Sequence, residues 1–185
     1  NIWAALEWSQ IGGDASAGLR LATALWWFWT LLSLFQEGYR WLDRTLKHGQ
    51  RESVSITLRA KALYRAGHQA IFAGEPVGRT RTLLQESLEL NRELDDEAGN
   101  VYSSMLISWI TEETEASYKE IVALARQTND EWLVPTILLN AGAFMIGREL
   151  TQAVIYLEES LSQFRRLGDR WGQGWSLLRF AQVNR

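Results

Sequence analysis

The chain has 185 residues, 46% apolar and 22% charged, a balance that suits a soluble fold large enough to bury a core. Its formal net charge of −3 leaves no electrostatic footprint for nucleic acid or an anionic membrane surface. With no cysteine there are no disulfides, no thiol catalysis and no zinc–thiolate site, which fits a reducing, cytoplasmic setting.

Apolar residues recur at three- and four-residue spacing almost everywhere and never alternate for long, so the expected class is all-α. Ten tryptophans and only two prolines also favour helices over loops. The opening NIWAALEWSQ has no initiator Met, no basic segment and no apolar leader, so a piece of a longer chain without a secretion signal is expected. After a break at GGD (12–14) comes ALWWFWTLLSLF (24–35). The uncharged run from Leu21 to Gln36 falls short of the ~20 residues that span a bilayer, so no membrane helix is expected.

Placed on one helix from Arg20 to Leu34, the residues Arg20, Thr23, Trp27 and Thr30 share a polar stripe. Leu21, Leu25, Phe28, Trp29 and Leu32 then face neighbouring helices. Further breaks follow near Gly49 and at 73–76, 95–97, 111–115, 128–130, 147–149 and 168–169. Asp14, Asp96, Asp130 and Asp169 stand where helix N-caps belong. The result is about ten helices in five hairpins.

The chain also repeats itself. In LLQESLELNRELDDEAG (83–99) and YLEESLSQFRRLGDRWG (156–172), Leu84, Glu86, Ser87, Leu88, Leu94 and Asp96 match Leu157, Glu159, Ser160, Leu161, Leu167 and Asp169. Weaker copies are WLDRTL (41–46) and YKEIVALARQTND (118–130). Anchored on Leu42, Leu84, Tyr118 and Leu157, the period is that of two-helix solenoid repeats.

RAGHQAIFAGEP with LLQESLELNRELDD, and NAGAFMIGRELTQAVIYLEESLSQFRRLGD, resemble the tetratricopeptide (TPR) repeat. The tryptophan-rich opening with EGYRWLDR resembles the segment that begins the TPR-like sensor region of bacterial signal-transduction ATPases of the LuxR/MalT and AfsR types. The resemblance covers essentially the whole chain. It implies one right-handed α-solenoid domain over 1–185, without catalytic residues, metal or cofactor. It also implies a partner of one of three kinds: a protein or peptide, a small effector, or the ATPase domain of the same chain. The chain itself has no GxxxxGK(S/T) stretch and no basic recognition helix, so direct contact with nucleic acid is not expected. A structural spacer and a stand-alone peptide-binding TPR domain are the alternative readings.

TPR first helices need a small residue where the second helix crosses. Alignment gives Gly67, Ser108, Gly142 and Ala181, facing Thr80, Thr114 and Ala153. In the first pair Trp26 occupies the small position, opposite Gly38, as a volume-matched couple.

The alignment also sends one stripe to the concave face. It holds Arg20, Thr23, Trp27 and Thr30, then Lys61, Tyr64, Arg65 and His68, then Tyr102, Asn140, Trp175 and Arg179. Cations and an amide there suit a carboxylate or phosphate, and Tyr and Trp suit stacking on a sugar or an aromatic group. The same residues also suit an ordinary solvated surface. The carboxylates at Asp95, Asp96 and Glu97, and at Glu112, Glu113 and Glu115, are explained by helix starts. His48 and His68 lack the companions a metal site needs. Arg165, Arg166 and Arg170 beside Trp171 read as favourable charges at a helix C-terminus.

Overall fold

A computed structural model describes residues 1–11, 14–49, 54–111 and 114–183. Among them the secondary structure is eleven α-helices and no strand. The chain divides into two compact units, Asn1–Thr111 and Glu112–Arg185.

The first unit contains α1 (Ile2–Gln10), α2 (Ala15–Ala24), α3 (Trp26–Leu31), α4 (Phe35–Gly49), α5 (Ile56–Ala73), α6 (Val77–Glu93) and α7 (Glu97–Ser108). Successive long helices pack as hairpins, and α5 also touches both α2 and α7. That second set of contacts, first helix to first helix, is what stacks hairpins into an α-solenoid. Its core gathers Leu6, Leu19, Trp29, Trp41, Leu42 and Leu63 with alanines at 22, 62 and 66. The second unit contains α8 (Glu115–Ala125), α9 (Leu133–Met145), α10 (Leu150–Leu167) and α11 (Arg170–Val183), with α9 touching α8, α10 and α11. Leu139, Leu157 and Phe164 form its central cluster.

The repeat anchors Leu42, Leu84, Tyr118 and Leu157 are all buried on the second helices α4, α6, α8 and α10. The close crossings recur as well. A Cβ on Gly67 would lie 2.3 Å from Leu84 Cδ2, and one on Gly142 would lie 2.8 Å from Leu157 Cγ. One turn beyond each anchor, Ser87 donates to the Ala60 carbonyl and meets Ser103 at 3.1 Å. Ser160 likewise donates to the Pro135 carbonyl and meets Ser176 at 3.3 Å. Gly99 against Asn91 and Gly172 against Phe164 complete the correspondence between α5–α6–α7 and α9–α10–α11. Three helices are thus pinned by a buried hydroxyl pair and two glycine seats, at matching places in both units.

The expected caps are made. Asp14 accepts from Ala17 N and Asp96 from Gly99 N, while Asp130 accepts from Trp132 N and Leu133 N and Asp169 from Trp171 N. Helix ends share one motif too. At α3, α5, α6 and α10 a left-handed residue closes the last turn, and the following amide reaches back five residues, as from Asp96 N to the Asn91 carbonyl. Glycine fills that position at 74 and 168, but Ser33 and Asp95 fill it elsewhere.

Four expectations change. The segment 20–34 is not one helix: it breaks at Leu25, and Ser33 at φ 56° ends α3. No proline or glycine marks the break. The carbonyl freed at Thr23 is instead taken by Arg65 of α5, and Gln69 of α5 donates to the Trp26 carbonyl in the first turn of α3, so long-range bonds stabilise the bend. Trp29, not Trp26, fills the space over Gly38: a Cβ there would meet Trp29 Cε3 at 2.9 Å and Gln69 Oε1 at 3.0 Å. The register of α3 decides this, turning Trp29 into the core and Trp26 out toward α5. Phe28 and Leu32, expected to face neighbouring helices, lie on the exposed side of that bend. Lastly, Thr114 is exposed and caps α8 through Ser117 N, and Ala181 is exposed, so neither occupies a crossing. The GG of the first break and Glu112 and Glu113 lie outside the described residues.

Candidate functional site

In the first unit, α3, α5 and α7 bring a file of aromatic and basic side chains together. His68, on α5, is the hub. Its ring lies 5.4 Å from Trp26 (edge-on), 5.0 Å from Phe72 and 6.2 Å from Trp109. Phe72 in turn stacks on Phe35 at 5.0 Å and meets Trp109 at 5.8 Å. Nearly one turn earlier on α5, the Arg65 guanidinium sits over the Trp26 ring at 5.1 Å and near Tyr64 at 5.9 Å. Tyr64 and Tyr102 lie parallel, 5.6 Å apart with 5° between planes. Trp27 packs against Trp26 at 5.1 Å.

The electrostatics follow from this packing. Arg65 Nη1 donates to the Thr23 carbonyl at 2.6 Å, but its buried Nε has no hydrogen-bond partner. Among the described residues Arg65 forms no ion pair. Burial pulls its pKa below the ordinary arginine value, and the neighbouring phenols of Tyr64 and Tyr102 oppose that shift. His68 is pushed down to about 4 by burial, so its imidazole is neutral near pH 7, and its buried Nδ1 is also without a partner.

The sequence placed Trp27, Tyr64, Arg65, His68 and Tyr102 on this face, and the structure gathers all five into one cluster. Lys61 lies exposed one turn from Arg65, and Arg20 is exposed with Asp14 at 3.9 Å. Thr30 is half-buried and tied to Gln69 and the Trp26 carbonyl. Thr23 belongs elsewhere. It is buried, and its hydroxyl donates to the Leu19 carbonyl, because the bend after Ala24 turns it toward the core. Trp26, Phe35, Phe72 and Trp109 were missed. Phe72 lies four residues after His68 and Trp109 seven after Tyr102, so extending the helical stripe would have reached both. The repeat alignment puts Trp26 at a crossing, and nothing local signals the bend that frees it.

In the second unit, Asn140 donates to the Thr136 carbonyl. Arg179 sits over Trp175 at 5.7 Å on α11, and Trp171 lies 5.7 Å from Trp175. A groove of about 390 Å³ there is lined by Arg126, Asn129, Asp130, Glu159 and Arg166, and Arg126 is already paired with Glu159. Asp95 and Asp96 form the α6–α7 turn, Glu97 and Glu115 lie in first helical turns, and Arg165 and Arg166 lie in the last turn of α10, but Arg170 opens α11 rather than closing a helix.

Among the described residues no group of three or more His, Asp or Glu is placed to hold a metal ion. No described helix is long and apolar enough to cross a membrane. No family model matches the chain, and no curated protein matches it.

Proposed function

We propose that the chain is a non-enzymatic TPR-like sensor and scaffold region of a bacterial regulatory ATPase, and that the first unit binds through its aromatic and basic face. The occupant is a small effector, a partner protein or another domain of the same chain. Such binding biases an on/off equilibrium by its differential affinity for the two states.

The observation that carries this reading is a contrast between the two units. Aligned on their shared seats, Gly67 with Gly142 and Ser103 with Ser176, the scaffold positions coincide. Most inner positions do not: Tyr64, Arg65, His68 and Phe72 correspond to Leu139, Asn140, Ala143 and Gly147, and Trp109 to Gln182, while Tyr102 keeps a ring as Trp175. A helical stack of this kind therefore forms without rings and a guanidinium at those places. Surfaces rich in Trp, Tyr and Arg are where binding energy concentrates. The test is to titrate the 185-residue chain with candidate effectors and with the ATPase domain of its full-length protein. Binding that is lost in Tyr102→Ala but kept in Asn140→Ala supports the reading. Binding indifferent to Tyr102, Trp27 and Trp109 alike overturns it.

A purely structural spacer is favoured by a different feature. Phe28, Leu31, Leu32 and Leu34 are 40–55% exposed and lie along α3 and the turn after it. Such an apolar shelf suits packing against another domain.

A further inference from the structure

We infer that the binding face of the first unit takes a flat aromatic anion, with Arg65 holding the negative group and the surrounding rings holding its plane. The inference rests on the reading that this face binds, and it names the chemistry of the occupant.

Charge comes first. Helices α2, α3 and α5 carry Arg20, Arg59, Lys61 and Arg65 and no acidic residue at all. Arg59 is neutralised by Glu86 of α6, and Arg20 and Lys61 stand in solvent. Arg65 alone is drawn among aromatic rings without a counter-ion. A guanidinium so placed has given up hydration without gaining a carboxylate, which is costly unless a charged acceptor arrives. It donates to the Thr23 carbonyl and shares a hydrogen bond with the Tyr64 hydroxyl, while its buried Nε has no partner. A carboxylate beside the guanidinium supplies the ion pair that the site lacks.

The second polar position narrows the class. His68 lies three residues further along α5, about 4.5 Å up the helix axis. Its Nδ1 is likewise buried without a partner, a second polar atom set among the rings. Besides the Thr23 carbonyl and the Tyr64 hydroxyl that Arg65 meets, the side chains gathered here are rings: Trp26, Tyr64, Phe72, Tyr102 and Trp109. A sugar would need a larger set of polar partners than two atoms supply. A cationic ligand would meet Arg65, and an aliphatic anion would leave the π faces unused. An aromatic ring bearing a carboxylate uses the rings for stacking and the guanidinium for its charge. In the second unit Asn140 and Ala143 replace Arg65 and His68, so that unit serves as a control within the same chain.

The test uses three probes on the 185-residue chain: 2-naphthoate, its uncharged amide 2-naphthamide, and cyclohexanecarboxylate. Calorimetric titration is expected to show saturable binding of one 2-naphthoate, roughly tenfold or more tighter than either of the other two. Arg65→Gln removes the preference for the acid over the amide. Because Arg65 also holds the α2–α3 bend, a second variant is needed: Tyr102→Ala, which leaves that bend intact, weakens 2-naphthoate binding, whereas Asn140→Ala does not. Equal affinity for acid and amide overturns the inference, as does absence of saturable 2-naphthoate binding. If a protein partner binds through Tyr102 and 2-naphthoate does not displace it, the face still binds but its occupant is not an aromatic anion.

Discussion

Consider two glycines of the second unit, one in a crossing and one in the open. A Cβ on Gly142 would lie 2.8 Å from Leu157 Cγ, 3.0 Å from Leu157 Cδ2 and 3.3 Å from the Ala153 carbonyl oxygen. Ordinary carbon contacts fall near 3.5–4.0 Å, so α9 and α10 must part by about 0.7 Å or Leu157 must turn away. Leu157 is fully buried and has nowhere to go. Overpacking of this size costs about 1–3 kcal/mol. Gly174 on α11 has nothing within 4 Å of its Cβ position. Both sites are helical, so both substitutions gain about 1 kcal/mol in helix propensity. Gly174→Ala should therefore stabilise by about 0.5–1 kcal/mol, and Gly142→Ala should be less stable than Gly174→Ala by the full overpacking term. Urea melts followed by circular dichroism read the difference. Repeating both in a Leu157→Ala background removes the two side-chain clashes and leaves only the 3.3 Å approach to the Ala153 carbonyl, so the penalty on Gly142→Ala should largely vanish, with a coupling of about 1–3 kcal/mol. If Gly142→Ala matches Gly174→Ala in both backgrounds, α9 and α10 do not cross where described.

Other expectations follow from single features. Ser87→Ala and Ser160→Ala each remove a buried hydroxyl that bridges three helices, and each should cost about 1–3 kcal/mol in the same melts. Gly38→Leu drives a side chain into Trp29 and Gln69 and should cost at least about 1–3 kcal/mol; unchanged melting would remove Trp29 from that seat. Ser33→Gly and Asp95→Gly relieve left-handed residues at φ 56° and 52° and should each raise stability by roughly 0.5–1 kcal/mol. For His68 the folded value of about 4 lies below the ordinary 6.5, so the unfolded chain takes up the proton first as pH falls. The stability of the neutral ring is complete above pH 6.5 and is lost between there and pH 4: about 2 kcal/mol by pH 5, and at most about 3. Wild type should lose stability relative to His68→Phe by about 2 kcal/mol between pH 7 and 5, and a constant difference from pH 7 to 4.5 would show that the imidazole is not shielded.

Much of this molecule is written locally. The three- and four-residue recurrence of apolar residues specifies helices whatever they pack against, because it is the pitch of the helix itself. Aspartates at 14, 96, 130 and 169 mark where helices start, since each cap is made with an amide two or three residues away. The match of Leu84 and Ser87 with Leu157 and Ser160 foretold equivalent crossings, and Gly67 and Gly142 occupy them. What the sequence did not disclose is the bend at Leu25. The Arg65 and Gln69 side chains, more than forty residues away along the chain, donate to the Thr23 and Trp26 carbonyls on either side of it. That bend sends Trp29 inward, turns Thr23 away from the face and delivers Trp26 to His68 and Arg65. Hydrogen bonds between distant segments leave no period in the sequence, so which tryptophan is core and which is surface was settled by tertiary packing alone.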